Sequence, residues 1–228
     1  MECRVLPAGD SGWLVELPDR LDIEVNSRAI EIAAAVEQSK LPVTDVVVGY
    51  RSVMVYVDPL SDQAAGVARR LEEIAATAPT IPAADAALVV VPVCYDDGYG
   101  PDLGDIAEFA RCSIEEVIER HLAVEYRVFV VGFVPGFAYM APVDPRIAAP
   151  RRSQPRLKVP AGSVAIAAGQ PGIYPAETPG GWSLIGRCPV FPYDPDREPP
   201  FLFRPGDRVR FQRITTDEYR AASAWGDV

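Results

Sequence analysis

A single histidine, His121, stands in 228 residues, which excludes a metal centre built on several imidazoles. The four cysteines (Cys3, Cys94, Cys112, Cys188) are scattered and form no CxxC pair. That removes the common thiolate metal site, and four reduced thiols in a cytoplasmic protein are the expected state. No apolar run approaches the ~20 residues that span a bilayer. Met1-Glu-Cys-Arg has no basic segment followed by an apolar one, so no secretory signal is expected. No GxxxxGK loop ending in Ser or Thr is present to cradle phosphates, and no nucleophile is placed with the lone histidine in a triad order. Positive charge is scarce: 22 Lys and Arg stand against 32 Asp and Glu, a net charge of −10. That balance argues against nucleic acid or an anionic membrane as a partner.

What is present is ordinary for a soluble globular chain, with 49% hydrophobic and 24% charged residues. The length suits one large domain or two small ones. Residues 1–84 read as a small α/β domain. Strands are expected at 3–6, 13–17, 43–48 and 52–57. A helix is expected at 23–38, where Ile23, Ala29, Ile30, Ala33, Ala34 and Val36 recur at helical spacing. Ser61 is placed to cap a second helix over 62–76. Strands alternating with helices suggest a ferredoxin-like sandwich, closed by the apolar run 88–93. The Pro-containing stretch 78–85 is the natural linker.

The second domain, 85–228, starts with short helices at 102–110 and 114–122. Ser113 caps the latter, with Glu116 at capping-box spacing. Texture then changes: residues 132–206 hold 15 Pro and 9 Gly. Long helices do not survive that density, whereas short strands and tight turns do, so a β-barrel or sandwich is expected. Strands are predicted at 126–131, 163–167, 182–187 and 207–214, and Thr216 caps a terminal helix over 217–224.

Three places carry the chemistry. The first is Gly132-Phe133-Val134-Pro135-Gly136-Phe137-Ala138-Tyr139, a bend in which Gly132 and Gly136 permit close backbone approach. Phe133, Phe137 and Tyr139 either line a pocket for a small ring or pack in the core. The second is a basic island in an acidic chain. Arg146, Arg151, Arg152, Arg156 and Lys158 fall within 146–158 with no acid among them, a pattern suited to a carboxylate or phosphate or to ion pairs with acids elsewhere. Pro150 and Pro155 restrict this loop and lower the entropy of aiming the guanidinium groups. The third is Tyr174, Glu177, Thr178 and Trp182 around Pro179-Gly180-Gly181, a turn that leaves backbone N–H groups exposed.

These segments come in a fixed series. After the bend follow Ala149-Pro-Arg-Arg-Ser-Gln-Pro-Arg156, Val159-Pro-Ala-Gly-Ser-Val164, Gly172-Ile-Tyr-Pro-Ala-Glu-Thr-Pro-Gly-Gly-Trp-Ser-Leu-Ile-Gly-Arg187 and Arg204-Pro-Gly-Asp-Arg-Val-Arg-Phe211. From about His121 to Ile214 the series resembles the 5-oxoprolinase B-subunit family, which includes the kinase inhibitor KipI and proteins labelled allophanate hydrolase subunit 1. It also resembles one half (subdomain C and D) of the carboxyltransferase domain of urea carboxylase. Lys158 is a departure, since Leu157-Lys158 stands where the family more often has threonine and arginine.

The resemblance implies a cyclophilin-like barrel for the second domain. It implies one component of an ATP-dependent 5-oxoprolinase, inactive alone. With the carboxyltransferase-like C subunit and the A subunit, and with ATP as co-substrate, such an enzyme opens 5-oxo-L-proline to L-glutamate. His121, Tyr126 and Val128 fit the family's pattern before the bend, and His121 or Glu177 is expected to move a proton. Gly132, Gly136, Tyr139, Arg151, Arg156, Lys158, Tyr174, Thr178 and Trp182 are expected to bind the small substrate, with Arg152 ranked below Arg151 and Arg156. No metal site is expected. The same resemblance leaves two other roles open: an inhibitor binding a sensor histidine kinase, and part of an amide hydrolase or carboxyltransferase acting on a urea-derived substrate.

Overall fold

The computed structural model describes residues 2–61, 66–80, 86–96 and 98–223. It divides into two compact units, Met1–Ala86 and Ala87–Val228. The start of the expected helix over 62–76, most of the expected linker and Ala224 at the end of the terminal helix lie outside the described residues.

The first unit is a four-stranded antiparallel sheet with helices on one face. Strands β1 (Arg4–Pro7), β2 (Gly12–Glu16), β3 (Val43–Val48) and β4 (Ser52–Val57) lie in the order β1-β2-β4-β3. Helix α1 (Ile23–Glu37) begins at Asp22, whose carboxylate accepts from the Glu24 and Val25 N–H groups. Helix α2 (Val67–Thr77) follows Gly66 at φ 85, so Ser61 does not cap its described start. Strand residues Val15, Val53, Val55 and Val57 alternate inward and meet Val25, Ala29 and Ile32 of α1 and Leu71 of α2. The run 88–93 does not close this sheet. It forms β5 (Leu88–Cys94) in the second unit, where it pairs in parallel along its whole length with β13 (Arg208–Ile214). The N-terminal strand β1 fills the edge beside β2 instead.

The second unit continues with α3 (Leu103–Ala110), α4 (Ile114–Leu122), β6 (Tyr126–Val131) and β7 (Ala138–Ala141). A 3₁₀ turn at Pro145–Ile147 precedes β8 (Arg156–Val159), β9 (Ser163–Ala167), β10 (Gln170–Ile173), β11 (Thr178–Gly180) and β12 (Ser183–Arg187). Helix α5 (Thr216–Ala222) follows β13. Seven strands form one sheet in the order β10-β9-β12-β5-β13-β6-β7, and its end strands β10 and β7 lie against one another, so the sheet is nearly closed and barrel-like. Strands β8 and β11 pair separately as a two-stranded ribbon.

Strand alternation gives the sheet two buried faces. Val128, Ala138, Met140, Val164, Ile166, Ile173 and Ile185 point to the main core, with Ile106, Val117 and Ile118 from α3 and α4. Their neighbours Phe137, Tyr139, Ala165, Ala167, Tyr174 and Leu184 point the other way and join Trp182 and Val159 in a second cluster. Ser113 caps α4 by accepting from the Glu116 N–H at 3.2 Å. Thr215, not Thr216, caps α5: its hydroxyl accepts from the Glu218 N–H, and the Glu218 carboxylate accepts from the Thr215 N–H at 2.8 Å. The Thr216 hydroxyl donates to Asp96 at 2.7 Å.

Candidate functional site

The bend between β6 and β7 is closed by the Gly132 N–H donating to the Phe137 carbonyl (2.9 Å) and the Phe137 N–H donating to Val134 (3.1 Å). Gly136 sits at φ 87, and a Cβ there would lie 2.7 Å from the Tyr193 Cβ, so geometry and space both demand glycine. Gly132 has open space around it and a backbone that any residue can adopt. Phe137 is buried, whereas Phe133 is 67% exposed and held at φ 74. A bulky residue in that region is strained by about 1–3 kcal/mol, and such strain collects at ligand and partner sites.

Behind the bend lies an aromatic floor. Phe137 meets Trp182 edge-on at 5.4 Å and Tyr174 at 5.3 Å, and Tyr139 meets Trp182 at 5.9 Å. Each such pair contributes about 0.5–1.5 kcal/mol beyond its area. The Pro-Gly-Gly turn feeds this floor: a Cβ on Gly180 would fall 2.3 Å from the Tyr174 hydroxyl, so only glycine admits that tyrosine. The Tyr174 hydroxyl is hydrogen-bonded by the Trp182 backbone. Burial pushes the pKa of Tyr139 and Tyr174 up, and the positive charge of Arg151 works the other way on both.

The basic island divides sharply. Arg146 forks onto Asp144, whose carboxyl its hydrogen bonds pull down to about 2. Arg152 donates to Asp102 at 3.0 Å and Asp105 at 3.2 Å. Arg156 makes a two-armed contact with Asp102 at 2.9 and 2.6 Å. Lys158 pairs with Glu177 at 3.0 Å on the exposed ribbon, beside Thr178. Arg151 alone of the five has no ion pair among the described residues. It is exposed and lies over the Trp182 ring at 5.9 Å. A cation–π approach of this kind uses none of the guanidinium's N–H donors and leaves them available.

Asp102 organises this arrangement, and sequence reasoning missed it. It stands at the start of α3, where a capping carboxylate is ordinary, yet it makes no side-chain cap. Its carboxylate instead takes both arginines and the Leu184 N–H at 2.6 Å, while its own N–H donates to the Leu184 carbonyl at 3.0 Å. The Arg152 N–H also donates to Gly181 at 2.9 Å. The loop carrying Arg151 is thereby tied to the strand and turn that carry Trp182. No sequence signal separated this acid from the others in an acidic chain.

His121 lies on the opposite side of the sheet. It is fully buried in the main core, stacked on Phe211 at 4.5 Å, with its Nδ1 2.8 Å from the Tyr95 hydroxyl. The Tyr126 hydroxyl donates to the His121 carbonyl at 2.8 Å and so satisfies a terminal acceptor of α4. The structure thus brings together Gly136, Tyr139, Arg151, Tyr174 and Trp182, with Arg156 adjoining. It places Lys158, Glu177 and Thr178 on the ribbon and His121 among core aromatics.

Burial holds the His121 pKa down to about 3. Between about pH 6.5 and about pH 3 the unfolded chain therefore binds a proton that the folded chain does not, so stability falls as pH falls. Going from about pH 7.5 to about pH 5, His121 alone should remove roughly 2 kcal/mol. Urea unfolding at the two pH values checks this, because His121→Phe should lose most of that difference. An equal pH dependence in the variant would contradict it.

The chain belongs to the carboxyltransferase-domain family, subdomain C and D, by a match over residues 3–203. More particularly, the chain is similar to the 5-oxoprolinase B subunit of Bacillus subtilis (strain 168), with 38% identity over 224 residues, 93% of each chain. Among solved structures it matches TTHA0988 with a TM-score of 0.80 and 39% identity, over 89% of this chain but only 40% of the longer TTHA0988. The Kluyveromyces lactis urea carboxylase matches with a TM-score of 0.76 at 20% identity, covering 96% of this chain and 22% of that one, a likeness of fold alone. No helix among the described residues is long and apolar enough to cross a membrane, and none of their His, Cys, Asp and Glu groups is placed to hold a metal ion.

Proposed function

We propose that the chain is the B subunit of an ATP-dependent 5-oxoprolinase, working in the cytoplasm with the C and A subunits to open 5-oxo-L-proline to L-glutamate. The observation that carries this reading is Arg151, the one cation of the island without an acidic partner among the described residues, set over Trp182 beside Tyr139 and Tyr174. 5-Oxoproline carries one carboxylate and one flat lactam ring. The in-plane donors of a single guanidinium suit the first, and an aromatic floor suits the second. Asp102, Arg152 and Arg156 fix the Arg151 loop rather than meet the substrate. Glu177, exposed on the ribbon, is the acid we assign to proton transfer. His121 is left out of that role by its burial and its aromatic surroundings.

The chemistry is activation of the lactam oxygen by phosphate from ATP, then hydrolysis, with ADP and phosphate released. The nucleotide comes to the site in the complex, and no ATP-binding residue is assigned to this chain. The exposed, strained Phe133 supports a site finished by a partner surface, in keeping with a carboxyltransferase-like C subunit. For the fold, the first unit is read as a ferredoxin-like domain in which β1 takes the place of the closing strand, and the second as a cyclophilin-like barrel.

The test is substrate protection. Added to the assembled enzyme, 5-oxoproline at about a hundred times its Kd should stabilise this chain by roughly 2.7 kcal/mol, read as a rise in Tm. L-proline, which lacks the ring carbonyl, should protect far less. No shift at saturating 5-oxoproline in an assembled complex would overturn the reading.

A further inference from the structure

The segment 191–201, Phe-Pro-Tyr-Asp-Pro-Asp-Arg-Glu-Pro-Pro-Phe, contains four prolines, Pro192, Pro195, Pro199 and Pro200. Proline keeps its carbonyl but has no N–H, so this loop holds more acceptors than its own backbone can satisfy. Arg197 makes up the difference. Its guanidinium donates to four backbone carbonyls: Phe191 at 3.0 Å, Pro192 at 3.5 Å, Pro199 at 3.2 Å and Pro200 at 2.9 Å. It makes no ion pair among the described residues. Two backbone bonds, Asp194 N–H to Pro200 (2.9 Å) and Leu202 N–H to Pro192 (2.8 Å), close the same loop, and the Tyr193 and Phe201 rings pack at 5.0 Å.

This loop is the wall behind the bend. Gly136 presses its Cα face against it, where an added Cβ would lie 2.7 Å from the Tyr193 Cβ and 3.0 Å from the Pro192 carbonyl carbon. Strain such as that of Phe133 at φ 74 persists only where surrounding structure over-determines the backbone. We infer that Arg197 is a positioning residue, which holds loop 191–201 rigid so that the 132–137 bend keeps its shape over the Trp182 floor. The inference rests on the reading of that bend as part of the substrate site. It also requires a fork: a lysine keeps the charge but cannot serve carbonyls from both ends of the loop in fixed geometry.

The test uses Arg197→Lys, with Arg197→Gln as a second variant if the first folds poorly. Hydrogen exchange on the chain should show the Gly132 and Phe137 amides opening at least about tenfold faster, with the β9 amides unchanged. In the assembled enzyme the KM for 5-oxoproline should rise about fivefold or more, with kcat within about twofold. Unchanged exchange at the bend overturns the inference, and so does equal acceleration in β9, which would mark a general loss of stability. Faster exchange at the bend with an unchanged KM overturns the positioning role. If the wild-type assembly does not act on 5-oxoproline, the proposed function falls by itself, and exchange alone decides whether Arg197 holds the bend.

Discussion

Asp102→Ala should unfold the second unit far more readily than wild type, by about 3 kcal/mol or more at neutral pH. The carboxylate is 3% exposed and is the shared acceptor of Arg152 and Arg156. It also takes the buried Leu184 N–H. Removing it strands the Arg156 guanidinium, leaves Arg152 only the exposed Asp105 at 3.2 Å, and orphans a backbone donor on β12. Breaking a buried pair by deleting one partner costs about 3–5 kcal/mol. The lower end applies here because the two arginines keep 32% and 27% exposure, so water relieves part of their loss. For a chain of this size the midpoint should drop by roughly 6–12 °C. Asp102→Asn retains one acceptor oxygen for Leu184 and should fall between. A loss under about 1 kcal/mol in urea unfolding would mean that Asp102 does not hold the loop.

Arg151→Ala should do the reverse: little to stability, much to activity. Its contact is the cation–π approach to Trp182, and an exposed contact of that kind is worth about 0.5–1 kcal/mol. If Arg151 takes the substrate carboxylate, the assembled enzyme should lose at least about tenfold in kcat/KM, most of it through KM. Arg151→Lys keeps the charge without the fork and should recover only part. Asp102 and Arg151 lie in one arrangement yet are expected to separate cleanly, one read in the midpoint and the other in kinetics. A large loss of stability in Arg151→Ala with unchanged kinetics would exchange their roles.

The sequence carried the long, well-patterned elements. Helices α1 and α4 and strands β3, β4, β6 and β9 each hold enough residues for their period to register. It did not carry β7, β8, β10 and β11, which are three or four residues long and lie in Pro- and Gly-rich stretches where no alternation accumulates. The strand β5 was legible as a strand but not as to its sheet, because its partner β13 lies more than a hundred residues away and parallel pairing leaves no local mark.

The site divides in the same way. Arg151, Tyr139, Tyr174 and Trp182 stood out through motifs. What decides between the island's arginines is Asp102, a single acid at the start of α3 whose importance comes only from tertiary contact. The family pattern ranks Arg152 below the other two, but Arg156 could not be told from Arg151 without it. His121 attracted notice as the one histidine, but its placement depends on which face of the barrel α4 covers. Arg197 carried no signal at all, because its partners are backbone carbonyls, and these have no letter in a sequence.

The central claim is that this chain supplies the carboxylate-binding cradle of a 5-oxoprolinase. The most direct measurement is 5-oxoproline-dependent ADP release by the purified chain alone, by the chain with its C and A subunits, and by the same mixture carrying Arg151→Ala. The account predicts no release from the chain alone, release from the wild-type mixture, and at least about a tenfold lower kcat/KM with Arg151→Ala. No release from a mixture that assembles, or full activity in Arg151→Ala, would contradict it.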